Sequence, residues 1–211
     1  MNYNTVIWDW NGTLLNDVQL AVNSINKVLS KYNIPTLNIE QYRNAFTFPI
    51  INYYKNIGFD FDKISFEIVG KEFIDIYNAN INSCQLFSNA FETLTNLKSK
   101  AIRQIIISAR YKPSLEQDLT RFNINQFIDE FYGIDTIYAT SKEHLFQQFI
   151  QKNPNANILY IGDTTHDRDI AQKFNIKFLL FTQGHQSIKH FQNSNHYTPI
   201  ADLNEILNYL K

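Results

Sequence analysis

Residues 5–13 read Thr-Val-Ile-Trp-Asp-Trp-Asn-Gly-Thr. The apolar, β-rich run over 5–10 stops at Asn11 and Gly12, as a buried strand does where it meets a turn. Asp9 therefore falls at a strand's carboxyl end. Working outward, similar apolar runs recur over 104–108, 131–133, 158–162 and 178–181. Helical spacing fills 89–98, 113–122, 142–151 and 167–174, with a closing helix over 203–210. Strands that are apolar throughout and alternate with helices predict an α/β fold, a Rossmann-like parallel sheet covered on both faces.

One stretch breaks the alternation. Val18, Ala21, Val22, Ile25, Val28 and Leu29 recur at helical spacing behind Asp17, which is placed to cap that helix. From 39 to 81 the pattern stays helical, with breaks at Phe48-Pro49 and Gly58 and a capping candidate at Asp62. Three or four helices and no strand are expected there. An all-helical domain over 15–86 is thus inserted into an α/β core domain made of 1–14 and 87–211.

The 211 residues, 44% of them hydrophobic, suffice for a core with a smaller second domain. Nineteen Lys and Arg against twenty Asp and Glu leave a net charge of -1, so no overall field draws the chain to nucleic acid or an anionic membrane. Anion binding must be local. The single cysteine, Cys84, has no intrachain partner and no zinc-ligand spacing around it, which marks it as structural and the compartment as reducing. Residues 1–6 lack the charged-then-apolar pattern of a signal peptide, and no apolar run reaches membrane-spanning length, so a cytoplasmic enzyme or binding protein is expected.

In open parallel sheets ligands bind beyond the carboxyl ends of the strands, where strand order reverses. Three strands end there in polar signatures: Asp9 to Thr13; Ser108, Ala109 and Arg110; and Gly162-Asp163-Thr164-Thr165-His166-Asp167. Lys142 follows another. A carboxylate can attack phosphorus, and further carboxylates can hold a magnesium ion that keeps nucleophile and substrate from repelling each other. Asp9, Asp163 and Asp167 supply such oxygens, and magnesium prefers oxygen ligands. Thr13, Ser108 and Lys142 would hold the remaining phosphate oxygens. A lone Asp at a strand end is ordinarily a turn or cap residue; the conjunction of four signatures argues otherwise.

These four motifs resemble, in order and spacing, those of the haloacid dehalogenase superfamily, and the chain looks closest to its phosphoglycolate-phosphatase-like branch with a helical cap. The resemblance implies that Asp9 is nucleophile and metal ligand. It implies that the Asn11 carbonyl and Asp163 complete the magnesium site, with Asp167 close by or acting through water. A small phosphorylated metabolite would be the substrate. One position departs from the pattern, because Asn11 stands where the family has its acid/base aspartate. A carboxamide can neither donate nor accept a proton at working pH, a role worth typically ~100- to 10,000-fold in rate. Two rivals follow: a phosphate- and metal-binding regulatory protein that has lost turnover, and a phosphonate-cleaving relative using Lys55, Lys63 or Lys71 as a Schiff base.

Other residues carry two readings each. His166 is a ligand or, because magnesium prefers oxygen, a neighbouring or surface residue. His185, after the last apolar strand, either contacts substrate or belongs to a plain loop. Arg110 meets an anionic substrate or sits at the surface. In the helical insertion Arg43, Phe46, Phe48, Tyr53 and Tyr54 select the substrate or pack a small helical core. Trp8 reads as core, and Trp10 as shaping the pocket mouth.

Overall fold

The computed structural model describes residues 3–136, 141–192 and 194–210. Its centre is a six-stranded sheet of β1 (Thr5–Trp8), β4 (Arg103–Tyr111), β5 (Glu130–Ile134), β6 (Ile158–Gly162), β7 (Lys177–Phe181) and β8 (Thr198–Ile200), in the order β5-β4-β1-β6-β7-β8. All neighbouring pairs are parallel. The chain builds outward from β1 through β4 to β5, then returns to place β6 on the other flank of β1. This is the reversal of strand order at which a crevice opens.

Alternate residues feed opposite faces, as the two-residue period of a strand requires. Val6, Trp8, Ile106, Leu159, Ile161 and Leu179 pack against α5 (Ala90–Ser99), α6 (Lys112–Arg121) and a closing 3-10 helix, Leu203–Tyr209. Ile7, Ile105, Ile107, Tyr160, Phe178 and Leu180 pack against α7 (Glu143–Lys152) and α8 (Thr165–Lys173). Between β1 and α5 lie α1 (Val18–Lys31), α2 (Ile39–Ala45), α3 (Ile50–Asn56) and α4 (Phe66–Asn80). They enclose an apolar cluster of their own around Val22, Ile25, Leu29, Tyr42, Tyr53 and Tyr54. Tyr53 is thus a core residue of the helical insertion, and Tyr54 packs in the same cluster while also lining the cavity beside it.

Several expectations need correction. β4 does not stop at Ser108 but runs to Tyr111, because β5 continues to pair with it across a register shift. β8 escaped notice because Pro199 sits in the middle of a three-residue edge strand, which has no apolar run to betray it. The two crossings into the helical insertion pair with each other, β2 (Leu15–Asn16) against β3 (Gln85–Leu86), a contact between residues far apart in sequence. Asp62 caps nothing; Ser65 accepts from the Glu67 amide at the start of α4. Trp10 is fully buried, donates to Asp118 and packs on Phe122, so it belongs to the core and not to a pocket mouth. Cys84 is buried, and burial pushes its thiol up to about 11, out of the reactive range. Among the described residues no helix is long and apolar enough to cross a membrane.

Candidate active site

The pairing of Trp8 with Ile161 across β1 and β6 brings Asp9 and Asp163 side by side at the carboxyl edge of the sheet. Asp167 joins them from the first turn of α8, where it forms a capping box with Thr164: the Thr164 amide and hydroxyl donate to its carboxylate at 2.9 and 2.6 Å. One oxygen from each of Asp9, Asp163 and Asp167 lies within 4.8 Å of the others. Lys142, at the N-terminus of α7, reaches between two of them, its Nζ on Asp9 and 2.7 Å from Asp167. Thr13 Oγ1 donates to Asp163 at 3.3 Å, and Ser108, 1% exposed, accepts from the Arg110 amide.

Three buried carboxylates meet two cations, Lys142 on Asp9 and Asp167 and His185 beside Asp163, and their ionisation reflects how far each is compensated. Burial raises Asp9 to about 6 against the pull of Lys142. Burial likewise drives Asp163 well above the usual carboxylate range, helped by Asp9 and Asp167. Burial opposes ionisation of Asp167 too, but Lys142 and three hydrogen bonds hold it at about 2. Lys142 itself rises to about 12, because the two carboxylates outweigh its desolvation. A compact oxygen-only donor set short of positive charge is what a hard divalent cation fits. Backbone shape reserves the space: Gly12 has φ +74°, and a Cβ at Gly12 or Gly184 would collide with the Asp163 carboxylate.

A second polar group adjoins the first, and its main member was misread as a helix cap. Asp17 makes no capping bond to α1. Its carboxylate accepts from Asn11 Nδ2 at 2.9 Å, the Gly12 amide at 2.8 Å and the Tyr77 hydroxyl at 2.6 Å, and it meets His185 Nε2 at 3.1 Å. Asn11 Nδ2 also lies 2.9 Å from the Tyr77 hydroxyl. His185 Nδ1 bonds the Tyr42 hydroxyl, and its amide donates to Asp163 at 2.6 Å. Burial would lower the imidazole, but Asp17 raises it to about 9. Tyr42, Asp17 and Tyr77 thus tie the helical insertion to the sheet edge. No local signal could have found Tyr77, which lies on α4 and meets Asp17 only in the fold.

The site opens into a cavity of about 450 Å³. Asp9, Asn11, Phe48, Ser108, Ala109, Arg110, Lys142, Asp163, Asp167 and His185, all singled out from the sequence, line it; Thr13 lies beneath, fully buried. Arg43 does not reach it. Its guanidinium donates to the Gln183 carbonyl, at the seam with the loop after β7, so Arg43 stands outside the cavity lining. Arg110 lines the wall but is paired with Asp118. His166 stacks on Phe48, ring centroids 4.9 Å apart, and its Nε2 is buried without a protein partner.

A carboxylate cluster with a lysine thus sits at the switch point of a Rossmann-like sheet under a helical insertion, and its oxygen donors suit a hard divalent cation. Residues 6–181 match the family described as haloacid dehalogenase-like hydrolase, and the chain belongs to that family. It is 26% identical over 176 residues to the pyrophosphatase PpaX of Bacillus cereus, covering 79% of this chain and 77% of that protein. Among solved structures it resembles a haloacid dehalogenase-like family hydrolase from Streptococcus pneumoniae, with TM-score 0.81, 20% identity and 99% of each chain covered. It also resembles a predicted phosphoglycolate phosphatase from Haemophilus somnus, with TM-score 0.75, 19% identity and coverage of 100% of this chain and 99% of that one. These structural likenesses establish the shared fold.

Proposed function

We infer that the protein is a magnesium-dependent phosphatase acting on a small phosphorylated metabolite through an aspartyl-phosphate on Asp9. The observation that carries this reading is the meeting of Asp9, Asp163, Asp167 and Lys142 at one sheet edge, beside Ser108 and open to a cavity. In this reading residues 1–14 and 87–211 form the catalytic core, and 15–86 the cap that covers it.

Asp9, Asp163, Asp167 and the Asn11 carbonyl would hold magnesium. Bound there, the ion would neutralise charge between the carboxylates and the phosphoryl oxygens. An Asp9 carboxylate oxygen attacks phosphorus as the bond to the ester oxygen breaks, and the leaving alkoxide takes up a proton from water in the cavity. Lys142 and the Ser108 hydroxyl orient the phosphoryl oxygens. Water then attacks the aspartyl-phosphate, releasing phosphate and regenerating Asp9. Asn11 can neither supply nor accept the protons these steps move, so slow breakdown of the aspartyl-phosphate is expected.

A binding protein without turnover is the second reading, and the engagement of Asn11 by Asp17 and Tyr77 favours it. The phosphonate-cleaving alternative loses its support, since none of Lys55, Lys63 and Lys71 lines the cavity, and Lys63 and Lys71 pair with Asp60 and Asp75. The deciding experiment is phosphate release from a panel of phosphate monoesters and pyrophosphate, with magnesium and with chelator. Release that needs magnesium supports the phosphatase; metal-dependent phosphate binding without release supports the second reading.

A further inference from the structure

Away from the acidic cluster the cavity wall is mostly apolar, with Asn78, Tyr111 and Ser114 among its neutral polar members. Phe46, Phe48, Ile50, Phe66, Phe73 and Ile74 line it, and all six are only partly buried. Large apolar side chains left partly open hold back hydrophobic free energy that a ligand's apolar surface would release on covering them. A cavity of about 450 Å³ lies within the ~300–1,000 Å³ typical of small-molecule sites, with room for a ring beyond a phosphoryl group.

The same wall offers no uncommitted cation among the described residues. Lys142 is held by Asp9 and Asp167, His185 by Asp17, and Arg110 by Asp118, whose other oxygen faces Arg121 at 3.6 Å. His166 is stacked on Phe48, ring centroids 4.9 Å apart. A second anionic group on the substrate would be desolvated there without an unpaired positive charge to meet it. The unpartnered His166 Nε2 can satisfy one neutral polar atom.

We propose that the organic half of the substrate is an uncharged apolar group of aryl or cycloalkyl bulk, seated against the Phe48, Phe66, Phe73 and Ile74 wall. This rests on the cavity being the phosphate-ester site inferred above, and it runs against the compact, highly charged pyrophosphate and phosphoglycolate. The test compares kcat/KM for benzyl phosphate, methyl phosphate, phosphoglycolate and pyrophosphate with magnesium. Benzyl, methyl and glycolyl groups all leave as alkoxides, so intrinsic reactivity does not decide among those three.

Benzyl phosphate should lead the others by at least ~10-fold, the scale at which apolar pockets discriminate. Ile74→Lys, which adds a cation to the wall, should shift the ratio of phosphoglycolate to benzyl phosphate by ~10-fold or more towards phosphoglycolate, the worth of one charge-assisted hydrogen bond. Preference of the wild type for phosphoglycolate or pyrophosphate, or equal rates on benzyl and methyl phosphate, overturns the proposal. If no ester is hydrolysed, calorimetry with magnesium compares benzylphosphonate with phosphonoacetate. Tighter benzylphosphonate sustains the apolar-ligand proposal while hydrolysis falls; equal or tighter phosphonoacetate, or binding of neither, overturns it.

Discussion

Replacing Asn11 by aspartate restores the family's acid/base carboxylate, and sequence alone predicts a gain of up to ~100- to 10,000-fold in turnover. The structure changes that expectation. Asn11 Nδ2 donates to Asp17 Oδ2 at 2.9 Å, so Asn11→Asp removes a donor and sets two carboxylates side by side. Two unit charges ~3 Å apart repel by ~5–6 kcal/mol at an effective dielectric of ~20. Taking up one proton to share between them caps the penalty at ~4 kcal/mol at pH 7, about three pKa units, because that proton also replaces the lost Asn11 donor. The Tyr77 hydroxyl, 2.6 Å from Asp17, has a single proton for two carboxylates. Asn11→Asp alone should therefore lose ~2–4 kcal/mol of stability at neutral pH, less as the pH falls towards 5, and give only part of the rate gain. Combining it with Asp17→Asn restores one donor and one acceptor. The double variant should recover at least ~1.5 kcal/mol of favourable coupling and release phosphate faster than either single variant. The assay is urea unfolding of the four proteins together with steady-state phosphate release. Wild-type stability of Asn11→Asp at neutral pH, with no coupling in the double variant, would refute the reasoning.

Further outcomes follow from the same geometry. Asp163→Ala should abolish phosphatase activity and weaken magnesium binding; equal affinity by calorimetry would misplace the metal site. Lys142→Met leaves Asp9 and Asp167 facing each other without their shared ammonium, so the metal-free protein should lose ~3 kcal/mol or more by chemical denaturation, and added magnesium should return part of it. His185 is raised to about 9 in the fold by Asp17, against an ordinary histidine value of 6.5. Its protonated form therefore adds stability fully present below about 6.5 and lost as the pH rises through about 9, ~3 kcal/mol in all. Thermal unfolding of wild type and His185→Gln should converge across that window in metal-free buffer, and a constant gap between them would refute the assignment.

How much could be read from the chain alone is clearest residue by residue. The 158–162 strand was delimited as found, and the others within a few residues, because buried parallel strands write themselves as unbroken apolar runs. Asp9, Ser108, Lys142, Asp163 and Asp167 were legible because each sits next to such a run or opens the helix that follows it, so strand order alone gathers them. Asp17 carried a local signal, but an ambiguous one: ahead of a helix, an aspartate reads as a cap, and only the fold shows its carboxylate turned to Asn11, Tyr77 and His185. That Arg43 turns to the Gln183 carbonyl and not to the cavity was hidden for the complementary reason, since helical periodicity says which residues share a face but not what that face meets. β8 and the β2–β3 pair lacked any apolar signature of their own. The apolar wall and the pairing of every described cation lining the cavity depend on how the helical insertion settles over the sheet. Local pattern determined the sheet and its acidic edge; long-range packing alone decided which polar groups neutralise one another and what kind of molecule the remaining space fits.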